Sequence, residues 1–122
     1  MKKFMLAVAV TMGLLTLAAN AEATVLRVVV VETNDAPAYM STIAKIRAAV
    51  TRLGSKSTIR VWRARYAGPD AGTIVVSIES ADMATFAADE MKFQQDAEYQ
   101  SLIKSLDPIR KIVSDSLYEE MK

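Results

Sequence analysis

Thr58-Ile59-Arg60-Val61-Trp62-Arg63-Ala64-Arg65-Tyr66-Ala67-Gly68-Pro69-Asp70-Ala71-Gly72-Thr73-Ile74-Val75-Val76-Ser77-Ile78-Glu79 is the stretch on which the fold turns. Ile59, Val61, Trp62 and Tyr66 mark a first β arm, and Ile74, Val75, Val76 and Ile78 mark a second. Between them, Ala67 to Gly72 supplies two glycines and a proline, the residue types that reverse a chain. Alternation puts Ile59, Val61, Arg63 and Arg65 on one face of the first arm and Arg60, Trp62, Ala64 and Tyr66 on the other.

Toward the N-terminus, Val25 to Val31 is a β-branched run broken only by Leu26 and Arg27. Such a run suits a strand buried on both faces. Thr33-Asn34-Asp35 then offers capping side chains, and Pro37 sits where a first helical turn tolerates it. Tyr39, Ile43, Ile46, Val50 and Leu53 follow at helical spacing, which predicts a helix of about 17 residues with one apolar stripe. Gly54 is expected to end it.

Toward the C-terminus, Ser80 and Asp82 are expected to cap a second helix whose core stripe is Met83, Phe86, Ala87 and Phe93. Asp96 is expected to cap a short third helix carrying Tyr99, Leu102, Ile103 and Leu106, broken at Asp107-Pro108. The pattern of Ile109 to Met121 fits a helix or a strand. A strand is preferred, because it completes the series β-α-β-β-α-β.

That order is the α+β, ferredoxin-like arrangement with a four-stranded antiparallel sheet. Its first and third strands lie at the centre and its second and fourth at the edges. The most apolar strands here are the first and third, whereas the second carries three arginines and the fourth carries Ser114, Asp115 and Ser116. Hydrophobicity ranks the strands as the topology requires.

The first 23 residues read as something other than fold. Met1-Lys2-Lys3 is basic, Phe4 to Ala19 is apolar and uncharged, and Ala19-Asn20-Ala21 and Ala21-Glu22-Ala23 both fit a signal-peptidase site. The run falls short of the roughly 20 apolar residues of a spanning helix, the competing reading. A cleavable signal over 1–23 is expected, with a periplasmic or secreted domain over 24–122 and no membrane attachment after cleavage. Lipid anchoring through an N-terminal cysteine is closed, since the chain has no cysteine. Removing Lys2, Lys3 and Glu22 from 15 basic and 14 acidic residues leaves 13 of each. A nucleic-acid partner, which calls for a basic excess, is therefore not expected. A domain of about 100 residues without disulfides buries only around two-thirds of its surface, so a homodimer is expected.

The chain resembles the dimeric α+β-barrel superfamily, which includes antibiotic-biosynthesis-monooxygenase-like and NIPSNAP-like domains. The resemblance spans about Val25 to Tyr118. It rests on the element order, on Gly72-Thr73-Ile74-Val75-Val76-Ser77-Ile78-Glu79 leading into Ser80-Ala81-Asp82-Met83-Ala84-Thr85-Phe86, and on Asp96-Ala97-Glu98-Tyr99. It implies a homodimer with two sheets face to face and helices outside, and a small-molecule pocket between sheet and helices. Members include cofactor-free monooxygenases, haem-degrading enzymes and proteins without known activity. The haem-degrading type uses an axial histidine and a helical tryptophan; this chain has no histidine, and Trp62 is on a strand.

Absences narrow the chemistry. Without histidine or cysteine there is no imidazole base, thiolate nucleophile or ordinary zinc or haem site, and no metal or cofactor is expected. Asp89 and Glu90 are adjacent on a helix and point apart. The candidate ligand site is Arg60, Trp62 and Tyr66 on one face of the second strand, with Tyr39 closing it. An arginine beside aromatics suits a small aromatic or anionic ligand. The same residues also read as a charged, protected sheet edge with aromatic core or dimer contacts. Glu79, beside Ser77, reads either as a cavity base or as a strand-end carboxylate in solvent. Three functions follow: a dimeric domain holding a small ligand, a cofactor-independent monooxygenase, or an envelope module binding another protein at a sheet edge.

Overall fold

The structure, a computed structural model, describes residues 23–122. Residues 1–22 of the expected signal lie outside the described residues. Strand β1 (Val25–Thr33) leads to helix α1 (Ala36–Arg52), then β2 (Thr58–Arg63) and β3 (Ile74–Ser80). Helices α2 (Met83–Gln95) and α3 (Ala97–Ser105) follow, and β4 (Arg110–Glu119) completes the chain. The sheet order is β2-β3-β1-β4, with every pairing antiparallel. The first and third strands are central, and the segment of ambiguous period is a strand. Among the described residues no helix is long and apolar enough to cross a membrane.

Local chemistry sets the helix boundaries. The Asp35 carboxylate accepts from the Ala38 N–H at the start of α1. At its other end Gly54 adopts φ +82°, a left-handed conformation that favours glycine. The Gly54 N–H donates to the Thr51 carbonyl and the Ser55 N–H to the Val50 carbonyl, closing a Schellman stop. Asp82 and Asp96 cap α2 and α3 through the N–H groups of Thr85 and Tyr99. Both carboxyls are held below the usual range, first by that backbone bond and, for Asp96, then by Arg52.

One core lies between helices and sheet: Val29, Val31, Tyr39, Ile43, Ile46, Val50, Ile74, Val76, Phe93 and Leu106. Tyr39, Val31 and Leu106 are fully enclosed. Phe93 stacks on Tyr99 with ring centroids 4.7 Å apart. A buried Asp89 joins three elements to this core. It accepts from the hydroxyls of Ser55 (2.7 Å) and Ser57 (3.2 Å), and Ser57 reaches Ser80 at 3.2 Å.

Three expectations change. The first hairpin arm ends at Arg63 rather than Tyr66, because the pairs Ala64 N–H to Thr73 carbonyl and Gly72 N–H to Ala64 carbonyl close the ladder there. The intervening chain turns through a 3₁₀ segment, Gly68–Asp70, and leaves Tyr66 wholly in solvent. Ser80 ends β3 and is buried against Ser57, so Asp82 alone caps α2. The α2 stripe is also displaced: Asp89 and Phe93 face inward, while Met83 and Ala87 are exposed. The serine–carboxylate bonds satisfy Asp89 and let a polar residue hold an inward position.

Phe93→Ala is expected to cost about 3 kcal/mol by opening a void beside Tyr99. Met83→Ala should cost no more than about 0.5 kcal/mol, as for an exposed site. Urea unfolding of the two variants checks the order, and equal losses would contradict it.

Candidate functional site

The helix-facing side of the sheet does not close completely on α1, α2 and α3. A cavity of about 220 Å³ remains between them. Its walls are mostly apolar: Val29 and Val76 from the sheet floor, Ile43, Ile46 and Val50 from α1, Phe93 from α2, and Ile103 and Leu106 from α3 and its end. Two tyrosines, two arginines and two carboxylates also border it: Tyr39, Tyr99, Arg27, Arg110, Glu90 and Asp115.

Arg27 is the one polar residue of the segment Val25 to Val31, and its neighbours neutralise it. Its Nε donates to Asp115 Oδ1 (2.9 Å) and its Nη2 to Oδ2 (2.7 Å), a two-pronged contact across the β1–β4 ladder. Its Nη1 donates to Glu90 Oε1 at 3.3 Å. The Asp115 hydrogen bond, opposed by partial desolvation, raises the Arg27 pKa, and the same bond holds the Asp115 carboxyl below its usual range. Asp89 and Glu90 do point apart: one binds serines, the other binds Arg27.

Arg110 is different. Its side chain is 12% exposed, and the carboxylate nearest to it, Asp107 Oδ1, lies 3.9 Å from Nη2, beyond a hydrogen bond. The guanidinium stands beside the Tyr39 hydroxyl and is close enough to act on Tyr99 and Asp115. Burial raises the pKa of both tyrosines. Arg110 opposes this at Tyr39; at Tyr99 Glu90 adds to it while Arg27 and Arg110 oppose it. Both hydroxyls therefore keep their protons at neutral pH and can donate as well as accept.

The four residues singled out from the sequence do not meet. Tyr39 lines the cavity. Arg60 and Trp62 lie on the opposite side of the sheet, since their alternates Ile59 and Val61 pack on the core. There the Trp62 Nε1–H donates to Ser77 Oγ at 2.8 Å, and the ring is 52% exposed. Tyr66 lies in the loop beyond the strand. Glu79 shares the Trp62 side and is exposed, away from the cavity. Sequence reasoning passed over Arg27, Glu90, Asp115 and Arg110. One signal was available for the first: a cation in a strand expected to be buried must find an acid on a neighbouring element.

The residues between sheet and helices offer no metal-binding set. Among the described residues no three acids, histidines or cysteines are placed to hold an ion. What the arrangement can do is enclose a small body and address it with hydroxyl and guanidinium donors.

No protein-family model matches the chain, and no curated protein does. Its fold is nevertheless shared with solved structures. A cofactor-independent oxygenase from Streptomyces nogalater, SnoaB, superposes with a TM-score of 0.62 at 17% identity, over 81% of this chain and 94% of that one. A NIPSNAP family protein of unknown function from Agrobacterium tumefaciens reaches 0.62 at 9% identity, over 84% and 91%. An antibiotic-biosynthesis-monooxygenase-type protein from Bordetella bronchiseptica reaches 0.56 at 12% identity, over 83% and 98%. The four-stranded α+β fold of this chain is the one these solved structures share.

Asp115 supplies a pH test. A carboxyl depressed in the folded state stabilises above its unfolded pKa of about 3.9 and loses that contribution as pH falls through the lower folded value. Asp115→Asn is expected to melt below the parent protein at pH 7, with the gap closing as pH falls below about 4. Melting curves that keep a constant gap would contradict the Arg27–Asp115 pairing.

Proposed function

We propose that the protein is an exported homodimeric domain that holds a small, mainly apolar molecule between its sheet and its helices. The observation that carries the reading is the cavity itself. Apolar walls make up most of the lining, and its two carboxylates are already matched by Arg27, so an apolar body can enter without stranding either of them. A void of about 150 Å³ accommodates benzene, so this one suits a compact molecule of one or two rings. The second copy is expected on the other side of the sheet, where Trp62, Val75, Leu26, Val28 and Tyr118 share a face that no helix among the described residues covers. The signal-like leader supports export.

The resemblance to SnoaB favours a second reading in which the enclosed molecule is an electron-rich aromatic that reacts with oxygen itself. In that reading the chain supplies a dry, shaped chamber and tyrosine donors, and no resident cofactor is required.

Naphthalene derivatives are practical probes. At ten times its Kd, a fitting two-ring aromatic should raise the melting midpoint by at least about 5 °C. Ile43→Phe, which places a ring in the cavity, should remove the shift while the protein stays folded. Oxygen uptake with a dihydroxynaphthalene, without added metal or flavin, separates the two readings. If no two-ring aromatic shifts the midpoint, or Ile43→Phe keeps the full shift, the cavity reading fails.

A further inference from the structure

The two arginines of the cavity are satisfied to very different degrees. Arg27 spends Nε, Nη1 and Nη2 on two carboxylates. Arg110 is more enclosed than Arg27, with 12% of its side chain exposed against 29%. Yet its Nε is buried without any hydrogen-bond partner, the one such side-chain nitrogen or oxygen among the described residues. A guanidinium is always charged and presents its donors as a rigid fork. An unpaired N–H of such a group in a low-dielectric site is costly and calls for an explanation.

Position argues against a merely structural role. Arg110 begins β4 just after the Asp107–Ile109 3₁₀ turn, and its backbone pairs with Thr33 at the end of β1. A residue needed only to start an edge strand has no reason to turn its guanidinium inward. Instead the group lies among Tyr39, Tyr99 and Asp115 on the cavity wall. The two carboxylates that border the cavity, Asp115 and Glu90, are both hydrogen-bonded to Arg27, and Asp107, 3.9 Å from Arg110 Nη2, pairs with it only beyond hydrogen-bond distance.

We infer that Arg110, with the Tyr39 hydroxyl beside it, is the anchor for an acidic oxygen of the bound molecule, and that the ligand class is a compact aromatic acid. The ring system lies against Ile43, Ile46, Phe93 and Val76, and the carboxylate accepts from the Arg110 guanidinium and from the tyrosine. The ligand thereby supplies the hydrogen-bonded counter-charge that Asp107, 3.9 Å from Nη2, does not. This rests on the cavity being the binding site, and the test separates the two claims.

The probes are 2-naphthoate and naphthalene-2-carboxamide, which share a shape and differ in charge. Isothermal titration at pH 7 should give the acid a preference of about tenfold over the amide, because a hydrogen bond to an ionised acceptor is roughly twice as strong as a neutral one. Arg110→Met, which keeps the length and removes the donors, should abolish that preference and leave amide affinity within about threefold. Arg110→Lys keeps the charge without the fork and should retain only part of the preference, so the inference remains testable if the methionine variant unfolds. Tyr39→Phe should weaken the acid more than the amide. Equal binding of both probes by the parent protein, or a preference that survives both Arg110 variants, overturns the anchor while leaving the cavity in place. Binding of neither probe overturns the cavity reading and the anchor with it.

Discussion

A four-stranded sheet has two faces, and the helices of the described residues cover one of them. That constraint governs the rest of the molecule. β1 pairs along its length with β3 on one side and β4 on the other, so its backbone is satisfied and its side chains alternate between the two faces. Val25, Val29 and Val31 go under the helices, as do Ile74 and Val76 of β3. Leu26, Val28, Val75, Trp62 and Tyr118 go to the uncovered side, where Trp62 and Tyr118 each keep more than half of their surface in water. A domain of this size buries too little surface to leave such a face open at no cost.

The covered face is also incomplete, and in an informative way. Helices α1, α2 and α3 reach the sheet over its central strands, and the space they fail to fill is the cavity. Its charged and tyrosine members arrive from five separate elements: Arg27 from β1, Tyr39 from α1, Glu90 from α2, Tyr99 from α3, and Arg110 with Asp115 from β4. Tertiary ties hold these elements in place. Arg52 at the end of α1 grips the Asp96 cap of α3 at 2.7 Å, which fixes the start of the helix that carries Tyr99. Arg47 donates to the Ile59 carbonyl and holds α1 over β2. Thr33 Oγ1 donates to the Ile109 carbonyl and sets the entry to β4 beside Arg110.

Local signals made most of the fold legible in the sequence. The valine run, the Tyr39–Leu53 stripe, the three aspartate caps and the ranking of strands by hydrophobicity each follow from a physical rule acting over a few residues. Where the reading went astray, a long-range contact had decided. Arg65 and Tyr66 continue the alternation of β2, but the closing pair at Ala64 ends the ladder before them. Met83 fits the α2 stripe, yet the serines from the α1–β2 connection give Asp89 the inward position instead.

The site was less legible for the same reason. The cluster of Arg60 and Trp62 is conspicuous in sequence because its members are close neighbours, whereas the cavity group is scattered from residue 27 to residue 115. Only Tyr39 belongs to both. Alternation alone separates Trp62 from it, since Val61 packs on the core and so turns its neighbours to the far side. Composition could say that no histidine or cysteine would take part. It could not say which arginine would keep a buried N–H without a partner.

The idea that the second sheet face is closed by another copy of the chain is tested most directly by sedimentation equilibrium of the purified protein at micromolar concentration. The account predicts twice the chain mass, with dissociation only on dilution. A compact monomer that retains full stability across that range would contradict it.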